Sequence, residues 1–519
     1  MAAVSDDRNA APDARPTAAP LQRTGLLLGW LVFLTVACTV IWLLDFSQDV
    51  KNVALQATIV LAMLGGSIWA VRSSGLPRRQ RWSLAALIVA PLWAVSPLGP
   101  VQLVNNGDTG IEGWRWRWGI KPDERLEMIN ARPTKRIEWR TTPQDYPAFL
   151  GGEYWAEVEG VELDPEWSVR PPKPLWRQPI GAGWSGFAIV GDYAITQEQR
   201  GESELVVCYE ARTGNVVWTH ADKARWDPGG GGALGGVGPR ATPTVHDARV
   251  YTHGATGIVN CLDAATGELL WSHDTLEEYG VENVLWGKAG SPLIVDDKVV
   301  ISVGGAEKNS LVAFAQHDGK QAWAAGSRRS SYATPVLAEL HGVRQILTVD
   351  EDAVTGRRAD SGQFLWEYPW LGKSDGNAST SQSVPVGENR VLLTKGYGAP
   401  AELIEVSHND GAKWAAEQVW KRPVLRTKMG NVVVRDGFAY GIDDIDLECV
   451  EIATGQRQWK KRRRPAFGHG QIILVGDVIL VLSESGELVL VEASPKKFNE
   501  LASLQAIEGV TWNNPAIAG

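Results

Sequence analysis

Cys261-Leu-Asp-Ala-Ala-Thr266-Gly267-Glu-Leu-Leu-Trp271 is the stretch on which the reading of this chain turns. A short apolar run enters at Cys261, Thr-Gly supplies a tight turn in which glycine takes a positive φ, and Leu-Leu-Trp returns. That is a β-hairpin closing on an indole. The same pattern comes back as Cys208-Tyr-Glu-Ala-Arg-Thr213-Gly214-Asn-Val-Val-Trp218 and as Cys449-Val-Glu-Ile-Ala-Thr454-Gly455-Gln-Arg-Gln-Trp459. Looser copies run through Asp318-Gly319 to Trp323, through Ser361-Gly362 to Trp366, and through Asn409-Asp410-Gly411 to Trp414 or Trp420. Taking Trp176 as the first anchor, Trp176, Trp218, Trp271, Trp323, Trp366, Trp420 and Trp459 are separated by 42, 53, 52, 43, 54 and 39 residues, a period of about 47.

Upstream of its hairpin each unit carries two more short strand patterns, as in Pro292-Leu-Ile-Val-Asp-Asp-Lys-Val-Val-Ile-Ser-Val303. Four strands per unit of this length is the pattern of a β-propeller blade. One such sheet cannot bury both faces, so blades stack around an axis and each Trp gains a neighbour to dock against. The excess of 24 tryptophans over nine phenylalanines fits a recurring structural use of the indole. The expected fold is therefore all-β, a propeller of four-stranded blades. Seven anchors mark seven units and residues 472–491 supply most of another. Trp512-Asn-Asn-Pro-Ala-Ile-Ala-Gly519 reads as the first strand of a blade completed by the chain around Trp176. That arrangement gives eight blades, with seven as the other count.

Asp-Ala-Ala-Thr-Gly-Glu-Leu-Leu-Trp resembles the tryptophan-docking repeat of the pyrroloquinoline-quinone (PQQ) repeat propellers. That superfamily holds the quinoprotein alcohol dehydrogenases and the BamB outer-membrane assembly proteins. The resemblance covers about 175–519 and includes Gly238-Pro-Arg-Ala-Thr-Pro-Thr244 and Gly468-His-Gly-Gln471. It is specific as to fold and silent as to function. It looks most like the membrane-anchored bacterial PQQ-binding-like repeat proteins.

The first hundred residues are of another composition. After a tail rich in Ala, Pro and Asp, three apolar stretches follow at 25–44, 53–71 and 83–104, the first two without a charged residue and about the length that crosses a bilayer. Three transmembrane helices are expected, the third despite Pro91 and Pro97. Arg72, Arg78, Arg79 and Arg81 crowd the loop after the second span, which places that loop and the N-terminus in the cytoplasm and everything after Val104 in the periplasm. The expected organisation is a tail at 1–22, an anchor at 23–104, a juxtamembrane segment at 105–174 ending in Arg170-Pro-Pro-Lys-Pro174, and the propeller at 175–519. Trp114-Arg-Trp-Arg-Trp118 suits either the bilayer interface or an ordinary strand.

A net charge of −9, from 51 basic and 60 acidic residues, excludes a basic nucleic-acid binder, and four cysteines in 519 residues exclude a disulfide-stapled miniprotein. The superfamily's enzymes imply an adjacent Cys-Cys pair over PQQ and a Glu/Asn/Asp set for Ca²⁺. No two cysteines are adjacent here, and Cys208, Cys261 and Cys449 hold one position in three blades, too far apart for a disulfide. Gly230–Gly235 spells G-x-G-x-x-G outside any βαβ unit, and Gly372-Lys373-Ser374 lacks the first glycine of a P-loop. Asp443-Asp-Ile-Asp446 reads as a turn before a Ca²⁺ site, and Lys460-Lys-Arg-Arg-Arg464 as a solvated loop before a lipid or acidic-partner contact. No catalytic or metal-binding residue is predicted. No cofactor is predicted either, PQQ entering only through the resemblance.

The remaining candidates are geometric. Residues at the start of each innermost strand line a propeller channel, which singles out Arg240, Lys288, Tyr332, Gln382, Lys428, His469 and Asn513. Converging on one mouth, they could take an anionic ligand or a peptide carboxylate; a water-filled channel is the plain alternative. The function expected is a membrane-anchored periplasmic scaffold that binds a protein or peptide, touches lipid through its helices and does not meet nucleic acid. The competing class is a PQQ- and Ca²⁺-dependent oxidoreductase.

Overall fold

The computed structural model describes residues 20–44, 46, 48–105, 110–133, 136–152, 155–228, 235–305, 308–372, 378–408 and 413–519. The tail at 1–19, most of the Gly230–Gly235 motif, Lys373-Ser374 and the turn at Asn409-Asp410-Gly411 lie outside the described residues. Contacts divide the chain into two compact units, one of Met1–Leu103 with Gly113–Arg117 and one of Val104–Glu112 with Trp118–Gly519.

The first unit holds helices α1 (Pro20–Leu43), α2 (Gln48–Ser73) and α3 (Arg78–Val95). Val50–Arg72, 23 residues with a mean hydropathy of 1.7, spans about 34 Å at 1.5 Å per residue, enough for a hydrocarbon core about 30 Å thick. Among the described residues it is the one helix long and apolar enough to cross a membrane; the apolar run Leu27–Leu43 is shorter. The expected third span at 83–104 needs correction. Its helix stops at Val95, Ser96 is already extended (φ −65°, ψ 165°), and Val101–Asn105 forms a strand paired with Ile111–Trp116. Pro97 and Pro100 cannot continue a helix, and the helical part from Ser83 is only about 20 Å long.

In the second unit seven antiparallel sheets follow one another at 188–222, 244–274, 293–325, 336–369, 384–422, 433–461 and 471–505, each a meander of four strands in chain order. They are numbered here first to seventh. Their alternating apolar residues build inter-sheet clusters, such as Val433, Tyr440 and Leu447 of the sixth sheet with Ile472, Ile479 and Val489 of the seventh. The β-propeller expected from the repeats is thus formed by sheets that bury one another's faces.

The strand register explains the repeat. Cys208 faces Trp218, Cys261 faces Trp271 and Cys449 faces Trp459, each beside a β-bulge. Ala313 and Gly356 hold the same place opposite Trp323 and Trp366. A small residue there leaves room for the indole, which is why the three cysteines are buried and unpaired. Each indole then reaches the next sheet. Trp176, Trp218, Trp271, Trp420 and Trp459 donate from Nε1 to the carbonyls of Ala211, Ala264, Gln316, Ile452 and Ser494 at 2.8–3.0 Å. Trp323 packs on Gly362 of the fourth sheet. Trp366 instead bonds Gln345 Oε1 of its own sheet at 2.7 Å, lying over Gly356, where a Cβ would collide with it.

No eighth four-stranded sheet is present among the described residues; neither 506–519 nor the chain around Trp176 forms a strand. The gap between the seventh and first sheets is filled otherwise. Glu157–Val158 pairs in parallel with Gln471–Val475, Tyr146 bridges to Ile189, and Ala516 and Ile517 join Tyr146, Val158, Ile473 and Val475 in one cluster. Upstream, Ala131 N donates to Thr219 Oγ1 at 3.1 Å and Trp139 stacks on Tyr193 at 5.5 Å, so much of the stretch between the helices and the first sheet lies on the propeller.

Candidate functional site

A belt of hydrogen bonds runs around the axis where the innermost strands begin. Gly186 N donates to Thr242 Oγ1 (3.1 Å), Thr242 N to Ser291 Oγ (2.9 Å) and Ser291 N to Thr334 Oγ1 (3.0 Å). Gln382 continues it, its Nε2 donating to Thr334 O (3.4 Å) and its N to Asn431 Oδ1 (2.9 Å). Gln471 Nε2 donates to both Met429 O and Trp512 O at 2.8 Å, and Asn513 Nδ2 returns to Ser185 O at 2.5 Å. Small hydroxyl and amide side chains recur at this point because each must satisfy a backbone group of the adjacent unit in a buried ring. The circle closes through Trp512–Asn514, between the seventh sheet and the first.

Inside the belt lies a cavity of about 150 Å³. Its walls are mainly aromatic: Trp184, Trp286, Tyr332, Tyr397 and Trp512, with Gln471, Asn513 and Asn514 as the amides. Trp184 and Trp512 stack at 4.3 Å and 22°, one from each side of the ring closure. Both indoles are fixed by their N–H groups, Trp184 on Gly235 O and Trp512 on Glu484 Oε1 at 2.8 Å.

Of the seven residues singled out from sequence, Arg240, Tyr332 and Asn513 line this cavity. Arg240 turns its guanidinium to the carbonyls of Gly235, Gly236 and Gly238, and burial pulls its pKa down to about 10. Lys288 is buried; its ammonium donates to Val303 O at 2.6 Å and Ser330 Oγ at 3.1 Å, and burial lowers its pKa to about 8. Gln382 is a belt residue, Lys428 holds its ammonium 4.9 Å from the Tyr397 ring, and the buried His469 donates its backbone N–H to Glu484 Oε2 at 3.2 Å. Of the seven, Gln382 and Asn513 carry belt bonds and Arg240, Tyr332 and Asn513 line the cavity, while the cations Arg240 and Lys288 are spent on internal carbonyl and hydroxyl partners. Trp184, Trp286 and Tyr397 were not foreseen. They sit in connections outside any strand, where no repeat marks them.

Elsewhere, Asp443 and Asp446 flank a strand turn. Asp443 accepts from Arg426 Nε at 2.7 Å and from Lys460 Nζ at 2.7 Å, pairings that hold its pKa down at about 2 against the opposing effect of burial. Arg463 of the basic run is likewise taken, by Glu487 at 2.6 Å and Glu500 at 2.8 Å. Among the described residues no group of three or more His, Cys, Asp or Glu is placed to hold a metal.

The PQQ implied by the superfamily does not suit this cavity when held through Ca²⁺. None of the cavity-lining residues is an Asp or Glu, whereas Ca²⁺ sites draw on carboxylates beside neutral oxygens. Glu484, the carboxylate beside the wall, already accepts from Trp512 and His469.

These features define a tryptophan-docked repeat propeller with an aromatic mouth. The family profile described as "Outer membrane protein assembly factor BamB" matches residues 201–461, just over half of the chain, and the chain belongs to that family of PQQ-type repeat propellers. A quinohemoprotein alcohol dehydrogenase ADH-IIG of Pseudomonas putida is 29% identical over 126 residues, 24% of this chain and 17% of the relative. An outer membrane protein assembly factor BamB of Xanthomonas campestris pv. campestris is 31% identical over 111 residues, 21% of this chain and 27% of the relative. The matches therefore span about a quarter or less of the length of these curated relatives. Among solved structures, a europium-containing methanol dehydrogenase superposes with a TM-score of 0.50 at 12% identity over 71% of this chain and 86% of its own. BamB from Moraxella catarrhalis gives 0.46 at 14% identity, over 63% of this chain and 88% of its own. The first of these likenesses carries the fold alone.

Proposed function

We propose that this protein is a membrane-anchored propeller of the bacterial envelope that works as a binding scaffold for a protein or peptide partner. The observation that carries the reading is the cavity wall, rich in aromatic rings with neutral amides, threonine hydroxyls and Arg240, and with no Asp or Glu among the described lining residues. Such a wall is suited to holding a ligand by its ring faces. The relative named as an outer membrane protein assembly factor supports a protein partner.

The membrane part follows from α2, long and apolar enough to cross a bilayer. With the N-terminus cytoplasmic, the single crossing by α2 leaves the propeller outside the cytoplasm, a side that the relative named as an outer membrane protein assembly factor also supports. We assign it to the periplasmic face of the inner membrane, with 1–22 as a tail, 23–104 as the anchor, 105–174 as the juxtamembrane segment and 175–519 as the propeller. The belt counts eight stations, seven of them sheets and the eighth Trp512–Asn514, and this supports an eight-position ring.

The second reading, a PQQ-dependent oxidoreductase, is favoured by the quinohemoprotein relative. One experiment separates the two. The full chain in detergent is titrated with PQQ and Ca²⁺ to high micromolar and followed by thermal shift and visible absorbance, while cross-linking in membranes searches for partners. The scaffold reading expects no cofactor-dependent shift and a protein cross-linked to the propeller. A saturable shift requiring both PQQ and Ca²⁺ would overturn it.

A further inference from the structure

The turn between α2 and α3 gathers positive charge that its own segment does not neutralise. Between Lys51 and Val104 the chain carries Arg72, Arg78, Arg79 and Arg81 and no Asp or Glu. Arg81 is spent inside the turn, donating to the carbonyls of Leu76 and Val71. Arg72, Arg78 and Arg79 are exposed. Arg72 is also the last residue of the run long and apolar enough to cross a bilayer, so its guanidinium comes at headgroup depth, where a long cationic side chain is stable.

Beside these arginines the two helices leave a groove of about 480 Å³. Its α2 wall runs from Ile68 and Val71 to Arg72, and its α3 wall runs from Val89 through Ala86 to Trp82. One helical turn before Trp82, on the same stripe of α3, stands Arg78. The groove exists because the residues at the crossing are small. Ser67 Oγ comes within 3.4 Å of Ala85 O, so the backbones approach there, and the methyl side chain of Ala86 leaves the space beside them unfilled. From Trp82 to Val89 the slot is about 10 Å long, room for the upper part of one acyl chain. A polypeptide strand laid against these walls would leave its backbone N–H and C=O groups unmet at membrane depth. A hydrocarbon chain joined to an anionic head meets the apolar walls and the cations at once. The geometry points to a binding site for one anionic glycerophospholipid, with an acyl chain along Ile68, Val71 and Ala86 and its phosphate between Arg72 and Arg78. The inference rests on the reading that α2 crosses a bilayer, and it names the lipid retained there.

The probes are dioleoyl phosphatidylglycerol and dioleoyl phosphatidylcholine, alike in their chains and different in net charge. Each is titrated onto the full chain in a non-ionic detergent, and bound lipid is counted by native mass spectrometry. Phosphatidylglycerol should be retained at about one tenth of the concentration that phosphatidylcholine needs. Arg72→Gln combined with Arg78→Gln should abolish that preference, and Ala86→Trp, which fills the groove, should reduce retention of both lipids. Arg212→Gln combined with Lys320→Gln removes the same charge from exposed positions on the propeller and should change nothing. Circular dichroism confirms that each variant keeps its helices. Equal retention of the two lipids, indifference to Ala86→Trp, the same loss from the propeller pair as from the arginine pair, or displacement by glycerol 3-phosphate at the lipid's own concentration would each overturn the inference. Carbonate extraction of membranes holding the full chain tests the reading beneath it. A chain that stays with the membrane yet shows no lipid preference removes this inference alone, whereas a chain released by carbonate removes the membrane anchor as well.

Discussion

Lys288 shows what a single buried charge costs and how that cost can be read. Its ammonium lies among neutral acceptors, Val303 O and Ser330 Oγ, with no carboxylate among the partners of its nitrogen, and burial drops its pKa from 10.5 to about 8. Below pH 8 the group is protonated in both folded and unfolded chains, so its contribution does not vary with pH. Between about 8 and 10.5 the unfolded chain binds more protons than the folded one, and stability must rise with pH. The rise is about 2–4 kcal/mol for a shift of this size. Comparing wild type with Lys288→Met by denaturant unfolding at pH 7 and pH 10 should show that gain in the difference between the two proteins. An unchanged difference would mean that Lys288 is solvated. Sequence marked this lysine because it leads an innermost strand, but its partners come from the next strand of its own sheet, Val303, and from the following connection, Ser330, which no local pattern encodes.

At the scale of the element, the Thr-Gly or Asp-Gly turn does two jobs. Gly319 has φ 71°, and a Cβ there would fall 2.8 Å from Cδ2 of Trp271, the indole arriving from the preceding sheet. Gly201 has φ 54° with nothing within 4 Å of its would-be Cβ. Gly201→Ala should therefore cost only the left-handed backbone term, about 1–2 kcal/mol, while Gly319→Ala adds displacement of a docked ring and should cost about 1–3 kcal/mol more. Thermal unfolding of the two variants measures the docking term as a difference, and equal losses would sink it. These hairpins were legible in the sequence because everything they need sits within eleven residues: strand, turn glycine, return strand and Trp. The third apolar stretch was misread because hydropathy alone ran 83–104 together, whereas Pro97 and Pro100 break the helix and Val101–Asn105 turns to strand pairing. The aromatic wall was invisible for the opposite reason. Trp184, Trp286 and Tyr397 come from separate irregular connections and meet only when the ring closes.

For the whole molecule the decisive place is the closure itself. Six of the contacts between neighbouring sheets join consecutive parts of the chain, but the seventh sheet and the first meet through residues from both ends: Asn513 on Ser185, Tyr146 on Ile189, and Val158 on Val475. A ring held this way opens at its most non-local contact first, because that contact has the largest loop-closure cost and the least help from chain neighbours. Asn513→Ala removes the side-chain bond to Ser185 while leaving the Trp512 carbonyl to accept from Gln471. Hydrogen exchange should then quicken in Ala188–Val190 and Gln471–Val475, the two innermost strands flanking the closure, and stay unchanged in Val336–Leu340 on the far side of the ring. The same opening would separate Trp184 from Trp512 and so dismantle the cavity. Ligand binding at the mouth and exchange at the closure are thereby coupled, and a ligand that fills the cavity should slow exchange in those two strands in proportion to its occupancy. If Asn513→Ala leaves both strands as protected as before, the hydrophobic cluster around Tyr146 and Ile473 is what holds the ring, and the belt adds only local order.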